Sequence, residues 1–441
     1  MKINSNPLLF IIPLVYILTL PPIISAQCFT SDPYNPRKLT YQSCNMVKES
    51  LQKNLGAMIP NDTMFDITLT CNANDTICKK VKTAFDTAVQ MISSTFILNS
   101  RISLNASFVS FCNGVPNCPN EIVLGQAAPA NWILMQDDDN AQRLYPQALV
   151  KQFQFPTHPK YTDYDIFAMF NSDIAYWFNG DPPIRPDQYD FLYVMLHELF
   201  HGLGFGSSWE EYIPGIVTPM PAVNPMKSAE FDLNSPDPQP NDKLRFYEWA
   251  FDKYMIFKNG TKTSGVTDEL NKFFSRRSGT QADFDSNFGR SSQFLLARRM
   301  YLLSQNSRSL AYMLQGSNDT LILETSYNPF RQGSSISHVD QTTYLNTSDF
   351  LMGAQARNGT TISSLALATG NYSGIGPKLK KTMETMGYTS LDNPNPYRPS
   401  IIDPKTLISS SSNLIKPYYL KFDIGFVITI VTTLSLHILA K

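Results

Sequence analysis

A chain of 441 residues with 43% hydrophobic and 17% charged residues has enough apolar side chain to bury one large core or two. Its formal net charge of −1, without a basic patch, speaks against a nucleic-acid partner. Neither internal repeats nor long low-complexity segments occur, apart from a serine run near the C-terminus.

Residues 1–26 carry Lys2, an apolar run over residues 8–20, and Ile24-Ser25-Ala26 before Gln27. This is the layout of a secretory signal peptide, so the mature chain is expected to begin near Gln27. Cys28, Cys44, Cys71, Cys78, Cys112 and Cys118 are even in number and suit disulfides in an oxidising compartment. Short loops favour Cys71 with Cys78, Cys112 with Cys118 and, by remainder, Cys28 with Cys44, although six cysteines allow about fifteen pairings. The absence of CxxC spacing argues against a cysteine metal site. Val81, Ala84, Phe85, Ala88, Met91 and Ile92 recur at helical spacing, and Ile102, Leu104, Ala106 and Phe108 then alternate as a strand.

His197-Glu198-Leu199-Phe200-His201, followed by Gly202-Leu203-Gly204-Phe205, is the most informative stretch. On a helix, positions four apart share a face, so His197 and His201 present two imidazoles to one tetrahedral zinc while Glu198 flanks the open coordination position. Pro186-Asp187 predicts the helix start, and Phe191, Leu192, Val194, Met195, Leu196, Leu199 and Phe200 predict burial on most sides. Two histidines and a glutamate in so apolar a segment require a metal or hydrogen-bonding partners.

Zinc needs a third protein ligand. In the short pattern HExxHxxGxxH it falls at position 207, where the chain has Ser207. The remaining histidines are His158, in a polar stretch between prolines and expected to be a solvated loop residue, His338, and His437 in the apolar C-terminal run. His338 is the better ligand. A gluzincin arrangement, with a downstream glutamate such as Glu230 as third ligand, is the alternative.

Gly204 beyond His201, Ser337-His338, and Leu351-Met352 together resemble the metzincin clan of zinc peptidases, and more narrowly its leishmanolysin type. There a long insertion separates HExxHxxG from a Ser-His and a following Leu-Met; here 137 positions (338 − 201) lie between the ligands. The resemblance implies that Gly204 ends the active-site helix, that Met352 forms the Met-turn beneath the metal, and that the fold is α+β. Leu124–Trp132, Arg143–Leu149 and Asp165–Asn171 are similar to upper-sheet segments of the group. The even cysteine set leaves no thiol to cap the metal in a zymogen, which departs from the cysteine-switch control of leishmanolysin-type enzymes.

The implied organisation is a 27–204 catalytic subdomain, a mostly helical 205–332 insertion, a 333–390 subdomain carrying the third ligand, and a 391–413 stalk. Within the insertion, helix-like stretches fall at residues 244–257, 266–276 and 291–314, with Phe246, Trp249, Phe251 and Tyr254 as expected core aromatics. Gly374-Ile375-Gly376-Pro377 through Met386-Gly387-Tyr388 predicts a terminal helix burying Leu379, Met383 and Met386, with Pro at its start and Gly at its stop. Residues 414–441 join a polar spacer to an apolar tail after a small-residue cluster, the layout of a GPI-attachment signal, with a single membrane span as alternative. Sequons at Asn61, Asn74, Asn105, Asn259, Asn318, Asn346, Asn358 and Asn371 imply a glycosylated surface. The sequence therefore predicts a cell-surface, GPI-anchored zinc endopeptidase acting on protein or peptide substrates. The competing reading is a surface adhesion or coat glycoprotein that keeps the peptidase fold with little activity.

Overall fold

The computed structural model of the protein describes residues 25–48, 63–112, 123–221, 245–275, 284 and 286–402. The leader up to residue 24, Asn61, Cys118, Glu230, His437 and the tail beyond residue 402 lie outside them.

Strands β1 (Ser25–Asp32) and β2 (Asn35–Lys48) form an antiparallel hairpin whose turn is held by the Asp32 carboxylate, which accepts the Tyr34 and Asn35 N–H groups. Ser25 and Ala26, the last residues of the expected leader, pair there with Asn45 and Cys44. The Cys28–Cys44 disulfide joins the two strands.

Next comes a β–α–β unit of β3 (Phe65–Cys71), α1 (Asp75–Thr95) and β4 (Ile102–Val109), whose strands are parallel because a whole helix intervenes. Asn74 caps α1 by accepting the Ile77 N–H, and the Cys71–Cys78 disulfide ties strand end to first helical turn. As the spacing predicts, α1 buries Val81, Phe85, Ala88 and Ile92, and β4 buries Ile102, Leu104, Ala106 and Phe108.

Then follow β5 (Gly125–Pro129), β6 (Asn131–Gln136), β7 (Gln142–Pro146), a short α2 (Gln147–Gln152), β8 (Thr157–Pro159) and β9 (Ile166–Asn171). They divide between two sheets. One has the order β3-β4-β9-β5, with β5 antiparallel at its edge; β6 and β7 extend the other from the β1–β2 hairpin, with β8 beyond β2. Strands β10 (Tyr176–Trp177) and β11 (Tyr189–Asp190) pair in parallel and lead into α3 (Phe191–Gly202). Helices α1 and α3 pack on the inner face of the β3-β4-β9-β5 sheet, where Phe191 meets Phe108 and Phe170 edge-on at 5.5 and 5.4 Å.

The start of α3 corrects the sequence reading. Asp190, not Pro186-Asp187, caps the helix, one carboxylate oxygen accepting the Leu192 N–H and the other the Ile362 N–H. Pairing of β11 with β10 keeps the chain extended up to residue 190, and this overrides the local Pro-Asp signal.

Among the described residues of 205–332, helix is in the minority, which corrects the expected mostly helical insertion. These residues contain a β12 (Glu210–Ile213) and β13 (Ile216–Thr218) hairpin, β14 (Met220–Pro221), β15 (Phe246–Trp249), β16 (Met255–Phe257), α4 (Ser264–Ser275), α5 (Ser292–Leu303), β17 (Leu310–Met313) and β18 (Thr320–Ile322). Strand β15 docks parallel on β7, so this stretch extends the sheet built by β6 and β7. In the expected 244–257 helix, residues 246–257 instead form strand, 3₁₀ turn (Phe251–Tyr254) and strand. Phe246, Tyr247 and Glu248 are buried in succession, which erases the alternation that marks a strand. The 291–314 stretch is helical only to Leu303; its end is β17, with Leu310 and Tyr312 buried alternately.

A buried ion cluster fastens β15 to its neighbours. Arg143 reaches Glu248 and Asp137, each at 2.8 Å, and Lys253 reaches Asp137 at 3.0 Å. Helices α6 (Gln341–Tyr344), α7 (Ile362–Ala368) and α8 (Pro377–Met386) follow, and β19 (Ser400–Ile401) returns to β6. Helix α8 has Pro in its first turn, buries Leu379, Met383 and Met386, and stops at Gly387 with φ +131°, as the sequence predicts. Tyr388 then donates its hydroxyl to the Leu203 carbonyl at the end of α3. Among the described residues no helix is long and apolar enough to cross a membrane.

Candidate metal centre

The i, i+4 spacing on α3 puts His197 and His201 on one face, and His338 comes to meet them from a segment held on two sides. Glu324 donates its N–H to the His338 carbonyl, while Val339 donates its own to Met352 in the 3₁₀ turn Phe350–Met352. The three Nε2 atoms lie 3.2, 3.2 and 3.1 Å apart.

Each imidazole is oriented by a backbone carbonyl. His197 Nδ1 lies 2.7 Å from Leu351 O, His201 Nδ1 2.7 Å from Phe205 O, and His338 Nδ1 3.0 Å from Ser334 O. A carbonyl only accepts, so each Nδ1 carries the proton and each Nε2 presents a lone pair. Burial pushes His197 down to about 4 and, with His197 beside it, His201 down to about 3; His338 falls well below the ordinary histidine value by burial and by both neighbours. Three acceptors facing one another have no hydrogen bond to make, and a cation at their centre removes the conflict. Three nitrogens of a tetrahedral zinc site with bonds of ~2.0–2.1 Å stand roughly 3.3–3.4 Å apart, so the donor set and its spacing fit zinc.

Glu198 is 8% exposed beside this triangle. Burial pushes its carboxyl up to about 8, against the pull of the Ala127 N–H on β5. Strand and helix approach closely here: a Cβ on Gly125 would stand 3.2 Å from Glu198 Cγ, and one on Gly202 only 2.4 Å from Ile166 Cγ2. Gly204 adopts φ +108° just past the helix, and a side chain there would also meet Pro146 at 2.8 Å. This turn swings the Phe205 carbonyl back to His201. Met352 is fully buried in its 3₁₀ turn, and Leu351 of the same turn orients His197.

His197, His201 and His338 are thus brought together, with Glu198 next to His197 on the same helix, Gly204 at the turn that follows it, and Met352 next to Leu351, whose carbonyl orients His197. His158 is not at the site, nor is it a solvated loop residue: it is buried in β8, its Nδ1 2.8 Å from Pro159 O and its ring stacked on Tyr161. Pairing of β8 with β2 buries it, a long-range contact that its polar neighbours did not signal. Ser207 faces Asp252 instead of the histidines, its Oγ donating at 2.6 Å. Sequence reasoning missed the three orienting carbonyls, which carry no side-chain signature, and the small-residue requirement at Gly125. Of the expected disulfides, Cys28–Cys44 and Cys71–Cys78 are present, and Cys112 is disulfide-bonded while its expected partner lies outside the described residues. Among the described sequons, Asn74, Asn259, Asn318, Asn346 and Asn358 are exposed, whereas Asn105 and Asn371 are half-buried.

A family model described as SPBPB7E8-like matches residues 25–418. A Schizosaccharomyces pombe protein, Uncharacterized protein PB7E8.01, is 29% identical over 382 residues, which cover 78% of this chain and 65% of the relative. The chain therefore spans slightly less than two thirds of that relative's length. No solved structure matches.

Proposed function

The chain belongs to the SPBPB7E8-like family, and we propose that it is a metzincin-like, zinc-dependent endopeptidase held at the outer cell surface. The observation that carries this reading is the triangle of three unprotonated Nε2 atoms at 3.1–3.2 Å, two of them on the same helix as a buried glutamate and the third brought in by His338. His197, His201 and His338 would hold the ion. When bound, zinc polarises a peptide carbonyl and lowers the pKa of its water toward roughly 7.

Glu198 takes the proton of the attacking water and later delivers it to the leaving amine, acting as base and then acid. Its burial raises the pKa toward 8, which makes the carboxylate a stronger base than a solvated one, and a nearby dication favours its charged form. Strand β5 runs along the edge of its sheet beside Glu198. An edge strand pairs with an extended peptide through backbone hydrogen bonds, which suits a substrate cut within its chain.

The test is incubation of the purified protein with a peptide library, with and without a zinc chelator. Internal cleavage that stops with the chelator and returns with zinc is the expected result. Zinc bound in stoichiometric amount with no peptide cut would instead favour the adhesion or coat-protein reading.

Surface attachment rests on residues 414–441, whose spacer and apolar tail fit a GPI signal. Phosphatidylinositol-specific phospholipase C is expected to release the protein from intact cells. Retention on the membrane, with residues 424–441 found in the mature chain by mass spectrometry, makes the tail a spanning anchor.

A further inference from the structure

The loop after α3 touches one of the three histidines and the residue that precedes another. Phe205 supplies the carbonyl that orients His201, and the Ser207 N–H donates to the Ser337 hydroxyl at 3.1 Å, one residue before His338. Gly206 lies between them: a Cβ there would stand 3.8 Å from both His201 Nδ1 and Ser337 Oγ. The loop in turn is held by Asp252, from the 3₁₀ turn that follows β15.

This carboxylate has no solvent exposure. One oxygen accepts the Ser207 hydroxyl at 2.6 Å; the other accepts the Ser208 N–H at 3.0 Å and the Trp249 N–H at 2.8 Å. A buried carboxylate without donors is costly, and here two of the three donors belong to the loop, so charge and loop fix each other in place. Ser207 stands where the short motif sets its third histidine, and its side chain is committed to the 205–332 stretch.

We infer that Asp252 is a positioning residue that, through Ser207, fixes the 205–208 loop and so aims the Nε2 atoms of His201 and His338 at a common cation. The inference rests on reading the three histidines as a metal centre. Removing an outer group that orients metal ligands weakens metal affinity by about 10- to 100-fold. The length of the 205–332 stretch thereby acquires a role: its strand β15 docks on β7 and carries Asp252 in beneath the loop.

Cobalt(II), which accepts imidazole ligands as zinc does and absorbs visible light, is titrated into the metal-free protein, with affinity and band positions as readouts. Asp252→Asn is expected to bind cobalt about 10- to 100-fold more weakly than wild type, with shifted bands. Ser207→Ala should change both in the same direction, and it carries the test alone if Asp252→Asn does not fold. Glu248→Gln, at another buried carboxylate of the same stretch but bonded to Arg143 and Thr267, should melt at lower temperature yet keep wild-type affinity and bands. Cobalt affinity within about twofold of wild type in Asp252→Asn and Ser207→Ala, well inside that 10- to 100-fold range, overturns the inference. So does an equal loss in Glu248→Gln, because the effect would then be one of general fold stability. Wild-type protein that takes up no cobalt removes the metal-centre reading and this inference with it, whereas binding that the variants leave unchanged removes this inference alone.

Discussion

Glu198→Gln is expected to keep the fold and the metal while lowering peptide hydrolysis by at least about 10²–10⁴-fold, the usual contribution of a positioned acid–base group. That range corresponds to roughly 3–5 kcal/mol of transition-state stabilisation. Glutamine is chosen because the slot is tight: Gly125 and the Ala127 N–H on β5 border the side chain, and an amide oxygen still accepts that N–H. Only the ability to take a proton is lost. The acid limb of the wild-type pH profile, which reports protonation of Glu198, should be absent from the residual activity of the variant. The metal-free proteins supply an independent check. With the folded-state pKa raised from 4.5 to about 8, the wild-type carboxyl is favoured in its protonated form, so metal-free wild type loses stability as pH rises through that interval. The variant has no proton to lose, and above pH 8 it should be the more stable of the two. Activity within about tenfold of wild type, well short of the acid–base range, would remove Glu198 from the mechanism.

The part of the site that was legible in the sequence is the part made locally. His197, Glu198 and His201 follow from one helix and its period, whereas the glycine turn at Gly204 came from the family resemblance. His338 was reached through the scarcity of histidine and a resemblance, because nothing local announces a contact across 137 positions. The orienting atoms were beyond reach: Leu351, Phe205 and Ser334 act through carbonyls that every residue possesses. In the fold, α1, β4 and α8 were readable because each buries one face. The 244–257 segment was misread because Phe246, Tyr247 and Glu248 are buried in succession and show no strand alternation, and α3 was started too early because strand pairing at Tyr189–Asp190 outweighs the Pro-Asp signal. His158 failed for the same reason, buried by a strand partner more than a hundred residues upstream in the chain.

His338→Ala is expected to abolish stoichiometric zinc binding, and with it hydrolysis, although His338 lies far in sequence from the helix. Two histidines on one helical face remain, fewer than the three protein ligands of a catalytic zinc site, and the affinity loss should exceed the ~10- to 100-fold that follows from removing an orienting partner alone. Metal content by mass spectrometry, on protein purified with zinc present, reads the effect directly. His158→Ala is the matched control: also a buried histidine, it lies in β8, stacks on Tyr161, and should retain wild-type zinc. Fold is checked by melting the metal-free proteins. The segment around residue 338 is tied to Met352 and Glu324 by backbone bonds that the substitution spares, so metal-free His338→Ala should still unfold cooperatively. Removal of its imidazole also relieves one of three facing lone pairs, which offsets part of the cost of the small cavity left behind. In wild type the three histidines, held unprotonated in the fold, make the metal-free protein lose stability as pH falls below the ordinary histidine value of 6.5, and the variant should be less acid-sensitive by one such group. Unchanged zinc stoichiometry and affinity in His338→Ala would leave the third ligand elsewhere, and Glu230 would then be the first alternative to replace.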